Sequence, residues 1–281
     1  MKIFKEIALL RTFLGEIRSA GNTVGLVPTM GALHRGHMAL IQASKKANSI
    51  TVATIYVNPT QFNNASDLDK YPRTLDNDLA MLDKHNCDVV FCPTNAEMYE
   101  KESIVRFDFD PLDNVMEGKF RPGHFSGVAL VVSKLFNIVE PDIAYFGQKD
   151  WQQMAVIMRL VDELKFNLII SSVPIVSESD GLAMSSRNRR LTPELRTQAV
   201  CIYQALNLAK RDLEKGMPLE SVKKSVKETV ERQPDMKLEY FELADRLNLT
   251  SVNTVKNGSQ AIMCIAAFAG EVRLIDNMFL D

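Results

Sequence analysis

The side chains best suited to chemistry lie in one stretch, residues 24–38, which reads VGLVPTMGALHRGHM. Two of the four histidines in the chain, His34 and His37, fall there three residues apart. Paired imidazoles can donate hydrogen bonds to an oxyanion and pass a proton near neutral pH, so they suit a reaction that builds negative charge. The same stretch supplies a place for such an anion. Val24 to Val27 is a short apolar run of the kind that makes a buried parallel strand, and Pro28 ends it by lacking an N–H. Gly31 and Gly36 bracket a turn, and from Met38 onward the apolar residues Leu40, Ile41, Ala43 and Ala47 predict a helix. Strand, turn and helix start together leave backbone N–H groups and a positive dipole end facing one spot, a phosphate seat.

Other uses of these residues fit less well. The glycine spacing matches a P-loop, but His37 and Met38 stand where Lys and Ser/Thr belong, and Met38 has no hydroxyl for Mg²⁺. The spacing of His34 and His37 permits a shared metal, but no cysteine or carboxylate nearby completes a ligand set, so no metal site is assigned. Two surface histidines without a role remain the plainest alternative. Their coincidence at one strand-to-helix turn weighs against it.

The rest of the chain must position that turn. At 281 residues it can bury a sizeable core and form one large domain or two. A net charge of −2 offers no basic face, so no nucleic-acid partner is expected. Cys87, Cys92, Cys201 and Cys264 show no C-x-x-C pair and no zinc spacing, and are expected as buried thiols in a reducing compartment. No signal peptide is apparent and no apolar run approaches ~18 residues. A cytoplasmic location without a membrane partner is therefore expected.

Ile7, Leu10, Leu14 and Ile17 predict an opening amphipathic helix over 5–19. After the helix at 37–48, apolar runs predict strands at 50–57, 88–92, 143–146 and 168–173, and Thr74 caps a helix to about 85. Alternation of Val105, Phe107 and Phe109 with charged residues predicts a half-exposed strand, and 119–125 (KFRPGHF) reads as a loop. A buried crossover helix over 128–139 and another after residue 150 complete a βα-repeating first part. Composition shifts near residue 177. Beyond it, a helix from Thr192–Pro193 and another from Pro218 precede strands at 237–243, 261–268 and 271–275, so a second, smaller α+β domain is expected.

His-x-Gly-His after the first predicted strand resembles the signature of the nucleotidylyltransferase superfamily. The wider chain resembles the pantothenate synthetase family: VPTMGALHRGH (27–37), VNPTQF (57–62), YPRT (71–74), RPGHF (121–125), YFGQKDWQQ (145–153), DGLAMSSRN (180–188) and RLIDN (273–277) match in order and spacing. The resemblance implies a Rossmann-like parallel sheet of nucleotidylyltransferase type. It implies an ATP- and pantoate-binding domain over 1–177 and a smaller α+β lid domain over 178–281. The implied reaction condenses pantoate with β-alanine, consuming ATP with its Mg²⁺ and releasing AMP and diphosphate through a pantoyl adenylate. A homodimer is implied as well.

Residue by residue, the resemblance places ATP along Met30, Gly31, Ala32, Leu33, His34, Arg35, Gly36 and His37, with His37 as proton donor. Lys149 would hold α-phosphate and carboxylate charge together. Gly147, Gln148, Asp150, Val176, Met184, Ser185, Ser186 and Arg187 would complete the nucleotide site, the last three in a mobile loop. Two hydroxyls and a guanidinium do suit phosphate oxygens. Gln61 and Gln153 would bind pantoate, with Gln61 also touching β-alanine. Asn58 is a further substrate-site candidate, although it also reads as a strand-ending residue. Arg121 and His124 could belong to the site or to its wall.

Lys149 and Gln153, four apart at a helix start, are expected on one face. Gln148 stands where many relatives carry Glu, and Asn77 where some carry Asp between Asp76 and Asp78, which leaves a protein-held Mg²⁺ there in doubt. Another nucleotidylyltransferase acting on a phosphate ester is the competing enzyme reading. Neutral glutamines favour a carboxylate-hydroxyl substrate over it. A non-catalytic nucleotide- or RNA-binding module is the competing class, and the balanced charge counts against it.

Overall fold

Apolar runs of four or five residues alternating with amphipathic helices can bury both faces only as parallel strands between helices, and the first compact unit is built that way. The structure is a computed structural model that describes residues 1–254 and 260–280. Two units emerge: residues 1–109, 121–148 and 156–174 form one, and residues 110–120, 149–155 and 175–281 the other.

The strands of the first unit are β1 (Lys2–Phe4), β2 (Val24–Val27), β3 (Ile50–Thr54), β4 (Val89–Phe91), β5 (Ile143–Gly147) and β6 (Ile169–Val173). They form one sheet in the order β1-β4-β3-β2-β5-β6, every pairing parallel. The helices are α1 (Ile7–Ser19), α2 (Arg35–Ala47), α3 (Ala65–Asp69), α4 (Leu75–Lys84), α5 (Asn95–Met98), α6 (Met116–Phe120), α7 (His124–Val139) and α8 (Trp151–Leu164), of which α6 and the first turn of α8 belong to the second unit. Leu33, Met38, Ile41, Leu82, Val90 and Tyr145 pack between sheet and helices in one core cluster. The chain proceeds from β2 through β3 to β4 on one side, then crosses by α7 to β5 on the other side of β2. That reversal of strand order opens a crevice at the carboxyl ends of β2 and β5, where open α/β sheets bind ligands.

The second unit contains α9 (Pro193–Gln198), α10 (Cys201–Glu214), α11 (Leu219–Glu231) and an antiparallel sheet of β7 (Met236–Asp245), β8 (Ala261–Ala269) and β9 (Val272–Leu280). Ile202, Leu206, Val222 and Val226 pack from the helices onto Leu243, Ile265 and Leu274. All four cysteines are buried free thiols, as their spacing implied.

Several elements differ from the sequence expectation. Residues 2–4 are an edge strand, Lys2 opposite Val89 and Phe4 opposite Phe91, and the opening helix starts at Ile7 instead of 5. Three edge residues, two of them exposed, carry no period that separates them from a helix start. β3 ends at Thr54, not at 57, because Thr29 takes over there, its hydroxyl donating to the Thr54 carbonyl at 2.6 Å. Residues 105–109 are not a strand: the Phe107 N–H goes to Ser126 Oγ at 2.9 Å and the rings of Phe107 and Phe109 stack. The loop expected at 119–125 shrinks to 121–123, because α6 ends at Phe120 and α7 begins at His124. The helix after Pro193 divides into α9 and α10, and β9 runs on to Leu280.

Candidate active site

His34 and His37 hold each other. His34 is the N-cap of α2, so its own N–H and that of Gly36 lie among the orphan donors of a helix start. The Gly36 N–H donates to Nδ1 of His34 at 3.2 Å, and the His34 N–H donates to Nδ1 of His37 at 3.3 Å. The two rings sit 4.1 Å apart, tilted by 45°. Because each Nδ1 accepts from the backbone, the proton of each neutral ring resides on Nε2, which is then a donor. A capping box normally made by Ser/Thr and Glu is made here by two imidazoles.

The seat beneath them differs from the expected ring of open N–H groups. The N–H of Gly31 donates to Thr29 Oγ1 at 3.2 Å, and those of Ala32 and Leu33 donate to the two carboxylate oxygens of Asp78 at 2.9 and 2.8 Å. Asp78 is 2% exposed, and Thr74 Oγ1 lies 3.2 Å from both of its oxygens. A backbone committed in this way shapes the turn and leaves the two imidazoles as its chemical equipment. The sequence marked Asp78 only as a first-turn acid beside Asn77, in a stretch weighed for Mg²⁺; its bonds to the Ala32 and Leu33 N–H groups left no sequence signal because those partners are main-chain groups.

Gln61, 7% exposed, ends a one-turn 3-10 helix capped by the Asn58 side chain. Its Nε2 donates to Met30 Sδ at 3.2 Å, so the loop before His34 and the loop after β3 meet at this side chain. Its Oε1 accepts from Asn58 Nδ2 at 3.1 Å, and its carbonyl is 2.8 Å from His124 Nδ1. Tyr99 donates to Asn58 Oδ1 at 2.9 Å, and Asn58 donates on to the Gly127 carbonyl at 3.2 Å. His124, buried, and Arg121, 3.3 Å from its Nε2, thus form the wall behind Gln61. Gly127 lets α7 approach, since a Cβ there would overlap the Thr60 carbonyl. Met30, Asn58 and Gln61 form one hydrogen-bonded group and His34 and His37 another, both in the first unit. Gly147 closes β5 opposite Val173 of β6, and Gln148 donates to Ser172 Oγ at 3.3 Å.

The remaining predicted residues belong to the second unit. Gln148–Asp150 forms a 3-10 turn that runs directly into α8 at Trp151, so Lys149 stands on the turn and Gln153 in the first turn of the helix. Lys149 is largely buried, its ammonium 3.9 Å from Asp150 Oδ1, and its carbonyl accepts from Asn277 Nδ2 at 2.7 Å. Asp276, the neighbour of Asn277 on β9, is buried. Burial raises its carboxyl to about 6; the Asn277 N–H and the Lys149 ammonium lower it, and Asp150 raises it further. The RLIDN segment thus supports Lys149, a role that the motif alone did not reveal.

Residues 176–187 fold into a pinned hairpin. The Met184 N–H donates to the Val176 carbonyl at 3.0 Å, the Glu178 N–H to Leu182 at 2.9 Å, and Asp180 pairs with Arg196 at 2.8 Å. Ser185 caps the 3-10 turn Ser186–Arg190 by accepting the Arg187 N–H at 3.2 Å. Elsewhere in the unit Arg273 grips Glu117 with two bonds of 2.7 Å and also reaches Glu239, while Tyr240 donates to Glu117 at 2.8 Å. Burial lifts the Tyr240 hydroxyl well above its ordinary range, and the Glu117 charge adds to the rise.

A histidine-bearing turn at the switch point of a parallel sheet can stabilise charge on a transferring phosphoryl group, and a buried amide beside it can orient a polar acceptor. Residues 2–279 match the pantoate-β-alanine ligase family model. The chain is 46% identical over 278 residues to pantothenate synthetase of Bacteroides thetaiotaomicron, covering 99% of this chain and 98% of that one. The Porphyromonas gingivalis enzyme is 47% identical with 99% of each covered. The crystal structure of pantothenate synthetase from Thermus thermophilus superposes with a TM-score of 0.92 at 38% identity, covering 99% of both chains. That of pantoate-β-alanine ligase from Francisella tularensis, complexed with β-γ ATP and β-alanine, gives a TM-score of 0.83 at 34% identity over 99% of this chain and 97% of that one. Matched over residues 2–279 by the family model and over 99% of its length by solved structures, the chain belongs to the pantoate-β-alanine ligase family.

Proposed function

We propose that this chain condenses (R)-pantoate with β-alanine at the expense of ATP, giving pantothenate, AMP and diphosphate by way of pantoyl adenylate. Family membership supports the overall reaction. The observation that carries the assignment of roles is the reciprocal capping of His34 and His37, which fixes both as Nε2–H donors at the end of β2. Attack of the pantoate carboxylate on the α-phosphorus spreads charge over the equatorial oxygens and the leaving diphosphate, and donors held in advance meet that charge without reorganising. His37 donates a proton to the leaving oxygen, His34 binds the phosphates beside it, and Lys149 holds the carboxylate and the α-phosphate together.

The nucleotide runs along residues 30–37, with Gly147, Gln148, Asp150, Val176, Met184, Ser185, Ser186 and Arg187 as its further contacts. Gln61, Gln153 and Asn58 hold pantoate, Asn58 also orienting Gln61. The β-alanine amine then attacks the acyl carbon of the adenylate and AMP leaves. Shielding by the loop at 180–188 keeps water from that mixed anhydride.

Residues 1–177 are the ATP- and pantoate-binding domain in this reading, and 178–281 the lid. The Asp78 carboxylate is occupied by two backbone N–H groups. Mg²⁺ carried with ATP would supply charge neutralisation on the phosphates, and Asp78 is not assigned as its ligand. The family resemblance supports a cytoplasmic homodimer, which sedimentation of the purified chain would test. None of the helices among the described residues is long and apolar enough to cross a membrane.

The decisive assay follows AMP release from ATP and pantoate with and without β-alanine, beside the His37→Ala and Lys149→Ala variants. The expected outcome is AMP formation that depends on β-alanine and a loss of several kcal/mol of transition-state stabilisation in each folded variant. Near-normal turnover in either variant would remove that residue's role. Diphosphate release without free AMP, whether or not β-alanine is present, would favour a transfer to a phosphate ester instead.

A further inference from the structure

The turn that carries the histidines has an unusual backbone. Gly31 and the non-glycine Ala32 both lie in the left-handed region, with φ of 80° and 49°. A β-carbon makes that region costly, so the conformation persists only where surrounding structure enforces it. The N–H groups of Ala32 and Leu33 converge on opposite oxygens of one buried carboxylate, Asp78, at 2.9 and 2.8 Å. Oδ2 of that carboxylate also lies 3.0 Å from the point where a Cβ on Gly31 would stand, so the glycine makes room for it. Asp78 projects from α4, a different element, and Thr74 at the start of that helix lies within hydrogen-bond distance of both oxygens. Leu33 is followed directly by His34, the N-cap of α2.

We propose that Asp78 is a positioning residue for the adenylation step: its carboxylate holds residues 31–33 in the left-handed turn and thereby fixes the cap geometry of His34 and His37. The inference rests on the assignment of that step to the two histidines. A carboxylate suits this task because both its oxygens accept, so two diverging N–H groups are satisfied by one side chain. A carboxamide of the same size offers one acceptor and sets an NH₂ against the second N–H.

The test compares wild type with Asp78→Asn, Thr74→Val and His37→Ala. Steady-state kinetics of AMP formation are combined with ¹⁵N spectra of the histidine rings, of which the chain has four. In Asp78→Asn, kcat is expected to fall about 10- to 100-fold, the usual cost of loosening a support behind a catalytic group, while KM for pantoate changes less than about twofold. The Nδ1 and Nε2 resonances of His34 and His37 should move toward tautomer averaging, while those of His85 stay in place. Thr74→Val, which leaves the carboxylate intact, should show the same changes more weakly.

A folded Asp78→Asn with unchanged histidine spectra and unchanged kcat overturns the proposal. So does equal loss of kcat and pantoate affinity with unmoved histidine signals, which is the mark of general destabilisation. If Asp78→Asn does not fold, Thr74→Val decides by the same readouts. Loss of activity in His37→Ala together with normal Asp78→Asn refutes the positioning role alone. Normal activity in His37→Ala refutes the histidine assignment itself.

Discussion

Asp276→Asn is expected to stabilise the protein at neutral pH, although it removes a carboxylate beside a lysine. Asp276 is 6% exposed on β9, and burial places its carboxyl at about 6 against an ordinary 3.8. Below about pH 4 the group is protonated in both the folded and unfolded chains, and no penalty exists. Between that point and pH 6 the unfolded chain releases its proton first, so the folded state binds more protons and stability falls as pH rises. Above 6 the full difference is in force. A little over two units at 1.36 kcal/mol each gives about 3 kcal/mol as the cost of ionising Asp276 in place.

The variant cannot ionise, so it should match wild type near pH 4 and exceed it by up to about 3 kcal/mol at pH 8. Loss of attraction to Lys149 is already counted in that difference. Urea titrations of both proteins at several pH values, with equal m-values, read the gap directly. A gap that does not change with pH, or a variant less stable at pH 8 than at pH 4 relative to wild type, refutes the reasoning.

Arg273→Met should cost about 3–5 kcal/mol in urea denaturation, because it strands Glu117 and Glu239 without their shared cation. A loss below about 1 kcal/mol would mean that solvent replaces the guanidinium. Gly127→Ala should destabilise by about 1–3 kcal/mol, since a methyl overlaps the Thr60 carbonyl and neither backbone can yield cheaply. Because Gln61 follows Thr60, KM for pantoate should rise more than KM for ATP, and a proportional rise in both would argue against Gln61 as the pantoate amide.

The sequence was legible where one residue's type settled a local question. Val24 to Val27 closed by Pro28 read as a buried strand, and the strand-to-helix turn before His34 was legible from Gly31, although α2 begins at Arg35, two residues before the expected start. Buried strands β3 and β5 stood out as apolar runs, and the edge strand β6 was legible although only Val173 in it is buried. Features that depend on a distant partner were not legible. Asp78 reads as an ordinary helix-start acid, and only the folded chain shows its oxygens under residues 31–33. Val105 to Phe109 alternates like a strand but finds Ser126 and its own stacked rings in place of a neighbouring strand. The break between α9 and α10 has neither glycine nor proline to announce it. Asn277 belonged to a recognisable motif, yet its bond to the Lys149 carbonyl joins residues far apart in the chain.

The strand order of the first unit also bears on how it assembles. On one side β2 pairs with β3 close by in sequence, Val24 opposite Ile50; on the other it pairs Gly25 with Ile143. Strands β2 to β4 can therefore join early and leave one flank of β2 open until β5 arrives. Parallel pairings at such separation form slowly, and an uncovered apolar strand edge invites association with other chains. The crevice beside His34 and His37 is thus the last seam of the sheet to close. Pulse-labelled hydrogen exchange during refolding should find Ile143–Gly147 amides protected after those of Ile50–Thr54. A nucleotide bound across that seam would act as a clasp on the assembled sheet and lower the population of the half-built, sticky form.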